Sequence, residues 1–430
     1  MNTKGKLSML KELKKAYLQK MFPQEGENVP RVRFEGFSGE WEVRKLGEVA
    51  DIVGGGTPST SNDKYWNGDI DWYAPAEIGE QIFLEGSQRK ITELGFRESS
   101  ARMLPVGTVL FTSRAGIGNT AILTKTGTTN QGFQSIVPHE NELDSYFIFS
   151  RTHELKKYGE TVGAGSTFVE VSGKQMAQMP ISIPLLPEQT AIGGFFRTLD
   201  EIITLHKRKL EKLKELKKGY LQQMFPQKGE NVPRVRFKGY DKPWEVKKLG
   251  DVADISSGFT GNSELENGEY RLTRIETISN WYVDENSVGF SNEKPNDKYL
   301  LNNGDILYSN INSLSHIGKV AIYEKKSNLY HGINLLRIVA KYGNCSCFLF
   351  YQFKTKSKKN WAETHANQAV SQASINQTSL LKQPFFMCIL PEQTAIGSFF
   401  HTLDSQIATQ TKKIEKLKQL KKACLQKMFI

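Results

Sequence analysis

Arg114 lies on a glycine-rich loop, Ser113 to Asn119, that reads SRAGIGN. An exposed arginine can donate two hydrogen bonds to a guanine edge or hold a phosphate; the alternative here is a surface ion pair. The preceding segment 54–75, GGGTPSTSNDKYWNGDIDWYAP, mixes small polar residues with aromatic ones. Small polar side chains can reach base edges, whereas aromatic rings either stack on bases or pack in a core. That choice stays open for Trp66, Trp72 and Tyr73.

The first variable region therefore offers polar and basic side chains that could contact a nucleic acid. The candidates are Thr57, Ser59, Tyr65, Ser113, Arg114, Asn119, Gln131, Gln134 and Lys174.

A second variable region presents different chemistry on a similar framework. Its loop 310–318 reads NINSLSHIG, and asparagine side chains suit adenine. Four lysines between residues 354 and 359 could follow a phosphate backbone, and the alternative is a solvated helix face. The candidates are Arg271, Arg274, Asn310, Asn312, His316, Lys319, His331, Lys354, Lys356, Lys358 and Lys359.

Motifs for catalysis are missing from the sequence. It contains no Pro-Pro pair of the amino-methyltransferase kind, no Walker A loop, no Gly-x-Ser-x-Gly and no His-Glu-x-x-His. Cys345 and Cys347 have no matching pair for a zinc site. These observations predict a protein that binds rather than catalyses, with no cofactor or metal of its own.

Composition narrows the class further. The 430 residues are 38% hydrophobic and carry a net charge of +11, which favours an anionic partner. No run of about 18 apolar residues and no apolar signal core occur, so neither a membrane span nor secretion is expected. Four cysteines are too few for a disulfide framework, which favours a cytoplasmic location.

An internal repeat defines the elements that must position these residues. Residues 22–52 recur at 225–255, including GENVPRVRF, and PEQTAIGGFFRTLDEII from Pro187 recurs as PEQTAIGSFFHTLDSQI from Pro391. Each second block runs into a Lys/Leu stretch, and a truncated copy of that stretch occupies residues 10–22. Because the chain starts partway through a repeat unit, the duplication looks circularly permuted, with an approximate two-fold axis relating the halves.

The Lys/Leu stretches predict long helices. Apolar residues from Leu199 to Met224 follow spacings of three and four, which makes one apolar stripe. A helix over 187–225 would extend roughly 58 Å, and its stripe needs a partner, so we predict two long helices packed antiparallel. A simple solvated core helix is the alternative.

Charge separates between the helices and the variable regions. Residues 1–22, 200–225 and 404–430 carry +5, +3 and +5, whereas 23–199 carries −6 and 226–403 carries +4. The positive excess therefore belongs to the predicted helices, which would face DNA or acidic partner subunits.

Short β-type runs between the helices complete the prediction of an α+β fold. Residues 108–112 (TVLFT) and 120–123 (TAIL) predict strands in the first region, and residues 305–309 and 319–323 predict strands in the second. The predicted boundaries are 1–22 (partial helix), 23–186 (first variable domain), 187–225 (central helix), 226–390 (second variable domain) and 391–430 (C-terminal helix).

This layout resembles the specificity subunit of type I restriction-modification enzymes. The resemblance rests on the repeated PEQTAIG-FF-TLD helix starts and on the GGGTPST, LFTSRAGIGN and NQGFQSIVP segments of the first region. The second region departs from it, with GFTGNSELENGEYRLTRIE in place of the TPS and YW element.

The resemblance implies two α/β target-recognition domains separated by two long antiparallel, coiled-coil-like helices. Each domain would read half of a bipartite site in double-stranded DNA, and the helices would fix the spacer. It further implies two modification subunits that carry S-adenosylmethionine and methylate adenine N6. Restriction subunits that use ATP and Mg²⁺ would join them.

Two alternatives belong to other classes. One is an autonomous methyltransferase-nuclease, against which the missing methylation motif argues. The other is a coiled-coil scaffold or regulator that reads no bases, against which two divergent domains on one framework argue.

Overall fold

The computed structural model describes residues 29–30, 33–79, 81–114, 116–163, 170–260, 265–279, 282–324, 327–368 and 372–428, with side chains up to residue 422. The predicted partial helix at 1–22 lies outside the described residues. The chain divides into two compact units. Unit 1 comprises residues 1–206 and 413–430, and unit 2 comprises residues 207–412. The predicted α+β class is confirmed.

Unit 1 contains strands β1 (Glu42–Lys45), β2 (Ala50–Gly54), β3 (Trp66–Tyr73), β4 (Phe83–Leu84), β5 (Arg89–Ile91), β6 (Val109–Phe111), β7 (Thr120–Leu123), β8 (Thr128–Thr129), β9 (Gln134–Pro138) and β10 (Pro180–Ile183). Its helices are α1 (Leu46–Val49), α2 (Glu93–Arg97), α3 (Ser145–Ser150), α4 (Thr152–Gly163), α5 (Gly173–Ala177) and the first part of α6 (Leu186–Gln223).

A five-stranded sheet in the order β2-β9-β6-β7-β4 forms the centre of unit 1. The strands β6 and β7 pair antiparallel, with Leu110 opposite Ala121, as the two predicted strands at 108–112 and 120–123 require. All residues of both strands are buried, which explains their continuous apolar character. Unit 1 also contains two smaller sheets, β5-β3-β8 and β1-β10.

Unit 2 repeats these elements with additions. Its strands are β11 (Glu245–Lys248), β12 (Ala253–Ser257), β13 (Tyr270–Leu272), β14 (Ile278–Ser279), β15 (Tyr282–Val283), β16 (Gly289–Ser291), β17 (Ile306–Tyr308), β18 (Ile311–Asn312), β19 (Val320–Ile322), β20 (Leu336–Ala340), β21 (Asn367–Gln368), β22 (Ala373–Ser374) and β23 (Pro384–Met387). Its helices are α7 (Leu249–Val252), α8 (Ser346–Phe353), α9 (Lys356–His365), α10 (Gln377–Leu381) and the first part of α11 (Leu390–Met428).

The central sheet of unit 2 runs β12-β20-β17-β19-β15-β14. Its first four strands correspond in order to β2, β9, β6 and β7 of unit 1, and β11-β23 corresponds to β1-β10. The two units are therefore two copies of one fold, as the repeat predicts.

The repeated PEQTAIG motif ties each long helix to its unit. Glu188 accepts two hydrogen bonds from the Arg33 guanidinium, and Glu392 accepts two from Arg236. Both glutamates are almost fully buried. A bidentate pair of this kind fixes orientation as well as charge, so it anchors the start of each helix.

The next residue of the motif, a glutamine, contacts the start of the helix α3 in unit 1 and of α8 in unit 2. Gln189 accepts from the backbone N–H of Asp144 across 3.0 Å, and Gln393 accepts from that of Cys345 across 2.9 Å. These bonds satisfy backbone donors at the starts of α3 and α8.

A glycine one turn further on brings the helices into close contact. A Cβ on Gly193 would lie 2.5 Å from Oδ1 of Asp144, and a Cβ on Gly397 would lie 2.9 Å from Cβ of Cys347. Any larger residue would push the two helices apart, so the repeat retains glycine here for packing.

The last residue of the repeated PEQTAIG-FF-TLD motif is an aspartate that accepts a hydrogen bond from a tyrosine and pairs with lysine. Asp200 accepts from Tyr146 across 2.8 Å and pairs with Lys421, which lies on the part of α11 in unit 1. In unit 2, Asp404 accepts from Tyr351 across 2.9 Å and pairs with Lys217 and Lys354. Each unit thus joins the start of one long helix to the end of the other.

Within unit 2 the two helix segments run antiparallel, as predicted. Lys217 pairs with Asp404, and three residues further along α6 the Tyr220 ring packs against Phe399, which precedes Asp404 on α11. The observed helices span 38 and 39 residues and begin at Leu186 and Leu390, close to the predicted starts. In the part of the chain that the structure describes, no helix combines the length and apolar character needed to cross a bilayer.

Candidate nucleic-acid interface

Three sequence segments of unit 1 converge at the end of the central sheet. The hydroxyl of Thr57 donates to the side-chain oxygen of Gln131. Ser113 donates its backbone N–H to the Gly132 carbonyl across 2.8 Å, which places the adjacent Arg114 beside that turn. A Cβ on Gly132 would lie 3.6 Å from Nε of Arg114 and 2.9 Å from Pro75, so only glycine lets the loops meet this closely. The TPS, SRAG and NQG segments therefore form one polar surface.

Gln134 and Lys174 extend this surface. A Cβ on Gly173 would lie 2.9 Å from Oε1 of Gln134, so the start of α5 touches the first residue of β9. Lys174, the next residue, is exposed. The structure thus brings together five of the nine candidates in unit 1: Thr57, Arg114, Gln131, Gln134 and Lys174. Ser113 is fully buried, contrary to the expectation of a DNA contact, and it supports the loop through its backbone.

The remaining three candidates lie on neighbouring loops. Ser59 is exposed, and its carbonyl accepts from the Trp66 indole across 3.1 Å. Tyr65 is half-buried in the turn before β3, and Asn119 is exposed at the start of β7.

The aromatic residues of the first region are core residues. Trp66, Trp72 and Tyr73 are at most 7% exposed, and the two indole rings meet edge to face at 5.1 Å. Stacking on a base is therefore excluded for these rings in this conformation. The Arg89 guanidinium, however, covers the Trp66 ring at 3.7 Å and is itself exposed. No sequence feature indicated Arg89, because its aromatic partner is 23 residues away along the chain.

Asn310 and Asn312 follow β17 at the position that Ser113 and its neighbours occupy in unit 1. Asn310 accepts through its backbone from Ile375 and donates its side-chain N–H to the Ile375 carbonyl, just as the Ser113 carbonyl accepts from Val171. Asn312 donates to Ser309 across 3.1 Å. Both asparagines are half-buried and support the loop. Oδ1 of Asn310 lacks a hydrogen-bond partner among the described residues, but this atom is buried and is not accessible to a base in this conformation.

His331 does not lie on the surface, contrary to the expectation of a DNA contact. It is fully buried, and its Nε2 lies 3.0 Å from the Leu335 carbonyl oxygen. Burial lowers the pKa of this imidazole to about 4, so the ring is neutral at physiological pH. His331 is therefore a structural residue.

Arg271 is engaged within the protein. Its guanidinium pairs with Glu285 at 3.1 Å and donates to Ser327 across 2.9 Å. Arg274 donates to the Val288 carbonyl across 2.7 Å but remains exposed. Of the two, Arg274 retains access to a ligand.

The lysine run is not one continuous surface, which corrects the interpretation as a single phosphate-facing stretch. Lys354 and Lys358 point inward: the Lys354 side chain is 5% exposed and pairs with Asp404, and Lys358 donates to the Pro384 carbonyl. Lys356 and Lys359 are exposed. The two pairs differ because α8 ends at Phe353 and α9 begins at Lys356. Lys354 follows the first helix, and Lys358 lies on the buried side of the second, where Ala362 one turn further on is also buried.

His316 and Lys319 lie on the loop between β18 and β19. His316 is exposed, and its Nδ1 lies 2.8 Å from the Ser313 hydroxyl and 2.9 Å from the Ser315 hydroxyl. Lys319 is half-buried. Of the candidates in unit 2, Arg274, His316, Lys356 and Lys359 are therefore exposed, a set unlike that of unit 1.

Neither unit contains a cluster suited to a metal. Among the described residues, no group of three or more His, Cys, Asp or Glu side chains is arranged to hold a metal ion. The surfaces consist instead of hydrogen-bond donors, acceptors and cations on a rigid sheet end, which suits recognition of a polar anionic ligand.

Comparison with known proteins shows that both halves of the chain match one family model. The family model for the type I restriction modification DNA specificity domain matches residues 38–215 and 241–419. The chain is 34% identical over 251 residues to the type I restriction enzyme MjaIX specificity subunit of Methanocaldococcus jannaschii, covering 56% of this chain and 58% of that one. It is 38% identical over 208 residues to the putative MjaX specificity subunit of the same organism, covering 47% and 49%. The alignments thus span about half the length of these curated relatives.

A solved structure has the same fold. The S subunit of a type I restriction-modification system from M. genitalium superposes with a TM-score of 0.60 at 14% identity, covering 93% of this chain and 98% of that one.

Proposed function

Because the chain belongs to the type I restriction-modification DNA specificity family, we propose that it is the non-catalytic subunit that selects the DNA sequence for such a complex. Each unit reads one half of a bipartite site in double-stranded DNA. One observation carries the proposal: the two units share one framework but expose different polar side chains at the same end of their sheets. Different hydrogen-bonding groups on one scaffold read different base edges.

In unit 1, Arg114, Gln131 and Gln134 supply the base contacts, since they lie together and carry donors or acceptors that match purine edges. Thr57 and Ser113 position the loops, and Lys174 holds a phosphate. In unit 2, Arg274 and His316 are the base-facing groups, while Lys356 and Lys359 hold phosphates.

The long helices set the distance between the half-sites. Half-sites one turn apart lie roughly 34–36 Å from each other on one DNA face. A helix of 38 residues extends roughly 57 Å, enough to bridge that distance.

Partner subunits supply the chemistry. Two modification subunits, carrying S-adenosylmethionine, dock on the repeated helices, and restriction subunits that use ATP and Mg²⁺ join them. The basic helices favour acidic docking surfaces on these partners. A complex of this kind works in the cytoplasm, where its DNA lies.

The methylated motif tests the proposal. Genome-wide mapping of N6-methyladenine should show a bipartite motif in a strain with this gene and none after its deletion. Reintroduction of the gene should restore the same motif. Retention of the motif in a deletion strain without a second copy would reject the proposal.

A further inference from the structure

Unit 2 contains a strongly basic cleft of about 640 Å³. It opens between the end of α6, the turn from α8 to α9, and the first half of α11. Seven lysines and one carboxylate, that of Asp404, line it, together with apolar side chains such as Leu221 and Phe386. A volume of this size is typical of small-molecule sites, and the excess of cations selects for an anion.

Three of the lysines lie deep in the cleft. The side chains of Lys217 and Lys354 are 15% and 5% exposed, and both contact Asp404. Lys358 is 6% exposed, with its ammonium group 4.3 Å from the centre of the Phe385 ring. Among the described residues that line the cleft, Asp404 is the only carboxylate, and it contacts two of the three ammonium groups. Lys358 donates to the Pro384 carbonyl instead. Burying cations in excess of anions is costly unless a ligand supplies the missing charge.

Four further lysines form the rim. Lys214 pairs with Glu211 on the same helix at 2.8 Å, and Lys359 lies 3.8 Å from Glu363. Lys218 and Lys356 are exposed, and no carboxylate among the described residues lies within 4.0 Å of either ammonium group. The rim therefore extends the positive charge outward from the recess.

Unit 1 repeats the helix lysines of this cleft as Lys418, Lys421 and Lys422, but it does not repeat the buried lysines of the turn from α8 to α9. At the corresponding turn it buries Arg151, which pairs with Glu154 at 2.6 Å and donates to the Ser182 carbonyl. In unit 2 the equivalent carbonyl, that of Phe386, accepts from the neutral Gln352. The two buried lysines at this turn, Lys354 and Lys358, are thus specific to unit 2, as a ligand site of that unit alone would require.

The pKa values of the recessed lysines are lowered, as their burial requires. Burial, together with the charge of Lys217, lowers the pKa of Lys354 to about 7 despite Asp404, and burial lowers the pKa of Lys358 to about 7. An anion in the cleft would stabilise both charged forms, so its binding should be accompanied by proton uptake near neutral pH.

We propose that this cleft binds a compact phosphate-bearing anion through Lys354 and Lys358 in the recess and Lys218 and Lys356 at the rim. Ammonium groups bind phosphate oxygens as point charges and need no fixed fork geometry, so several lysines around one recess suit two or more phosphoryl groups. Only a ligand that enters the cleft can reach the recessed pair. The inference does not depend on the proposed function, because it concerns the cleft of one unit.

Titration calorimetry of the full chain with sodium pyrophosphate tests this proposal. At constant ionic strength, the wild-type chain should bind one pyrophosphate, with a heat that depends on the buffer because protons are taken up. Lys354→Met and Lys358→Met should each weaken binding at least about tenfold, as loss of a charge-assisted hydrogen bond predicts.

Substitution of exposed lysines at the rim tests the proposal even if a variant of Lys354 or Lys358 does not fold. Lys218→Gln with Lys356→Gln should weaken pyrophosphate binding about two- to fivefold, as expected for exposed charges. Lys418→Gln is the matched control: this exposed lysine lies on α11 in unit 1, at the repeat position of Lys214, and its loss should change nothing.

Two outcomes overturn the proposal: no saturable binding by the wild-type chain, or equal binding by all variants. A competition experiment identifies the source of the phosphate. Displacement of pyrophosphate by duplex DNA of arbitrary sequence assigns the cleft to backbone phosphates, whereas displacement by a nucleoside triphosphate alone assigns it to a free ligand. Either result supports phosphate recognition by these lysines, and neither requires sequence-specific DNA reading.

Discussion

The Tyr351 hydroxyl donates a hydrogen bond to Oδ2 of Asp404 across 2.9 Å, and the Tyr146 hydroxyl donates one to Oδ2 of Asp200 across 2.8 Å. The two tyrosines are nevertheless not at equivalent positions of the repeat. The glycine contacts of the repeat align Tyr146 with Cys347, one helical turn before Tyr351. The bond to the aspartate has therefore been kept while its donor moved by a turn. This indicates that the aspartate needs a neutral donor in addition to its lysine.

Removal of this donor should lower stability. Tyr351→Phe leaves Asp404 with its lysines but without the hydroxyl, and a hydrogen bond to a charged group contributes about 1.5–3 kcal/mol. The free energy of unfolding from urea denaturation should fall by that amount. Tyr342→Phe is the control, because Tyr342 is fully exposed and its hydroxyl removal should change stability by less than about 0.5 kcal/mol. Equal effects of both substitutions would contradict the assigned contribution.

The buried pair of Arg236 with Glu392 should be costly to break from one side. Arg236→Met leaves a buried carboxylate without its cation, which should cost about 3–5 kcal/mol in thermal or urea unfolding. Addition of Glu392→Leu should recover a large part of that loss, because no uncompensated charge remains. Arg234→Met, at an exposed pair with Glu230, should have little effect. A double variant as unstable as Arg236→Met alone would show that the cost is not electrostatic.

Acid should destabilise the protein through His331. Its pKa is about 4 in the folded chain and about 6.5 when unfolded, so between these values the unfolded chain binds more protons. The free energy of unfolding should therefore fall by roughly 3 kcal/mol as the pH drops from 6.5 to 4. His331→Gln should remove this part of the pH dependence, whereas His316→Gln, at an exposed position, should retain it. A wild-type profile that is flat over this range would rule out a buried neutral imidazole.

Substitution of Arg114 should affect one half-site only. If Arg114 contacts a base, Arg114→Ala should relax or abolish the first half of the methylated motif and leave the second half defined, with a loss of about 1–3 kcal/mol at that base. Arg102→Ala removes an exposed arginine elsewhere in unit 1 and should leave the motif intact. Sequencing of methylated adenines from both strains gives the answer. A change in the second half-site would contradict the assignment of Arg114 to the first half-site.

Lengthening of the helices should lengthen the spacer. Seven residues inserted in α6 within 210–221, matched by seven in α11, add two turns or about 10.5 Å, which equals about three base pairs. The methylated motif should gain that spacing while both half-sites remain the same. An unchanged spacer would exclude the helices as the measuring element.

The repeat and the periodicities determine much of the framework. Residues 120–123 form the strand that TAIL predicts, and the two long helices begin within one residue of Pro187 and Pro391. These features depend on local patterns of apolar residues, which the sequence displays directly. The five predicted segments and the four boundaries between them remain predictions; the compact units divide within the long helices instead.

Burial of individual polar residues could not be predicted as well. His331 precedes a strand-like run, LLRIV from Leu335, and has no sequence feature that distinguishes it from an exposed histidine. Its burial depends on packing between distant strands. The burial of Lys354 and Lys358 could not be predicted either, because α8 ends at Phe353 and α9 begins at Lys356, so the lysine run does not follow one helical periodicity. The convergence of Thr57, Arg114 and Gln131 depends on tertiary contacts, so the candidates were predictable as residues but not as one surface.

The contact of Lys421 with Asp200 has a consequence for synthesis on the ribosome. Unit 1 includes residues 413–430, so the first unit to leave the ribosome lacks one of its own segments until the last part of the chain is translated. Unit 2, which is continuous from 207 to 412, has all its segments earlier. The unit that is synthesised first is therefore completed last, and a chain that ends prematurely within α11 would damage the first unit before the second.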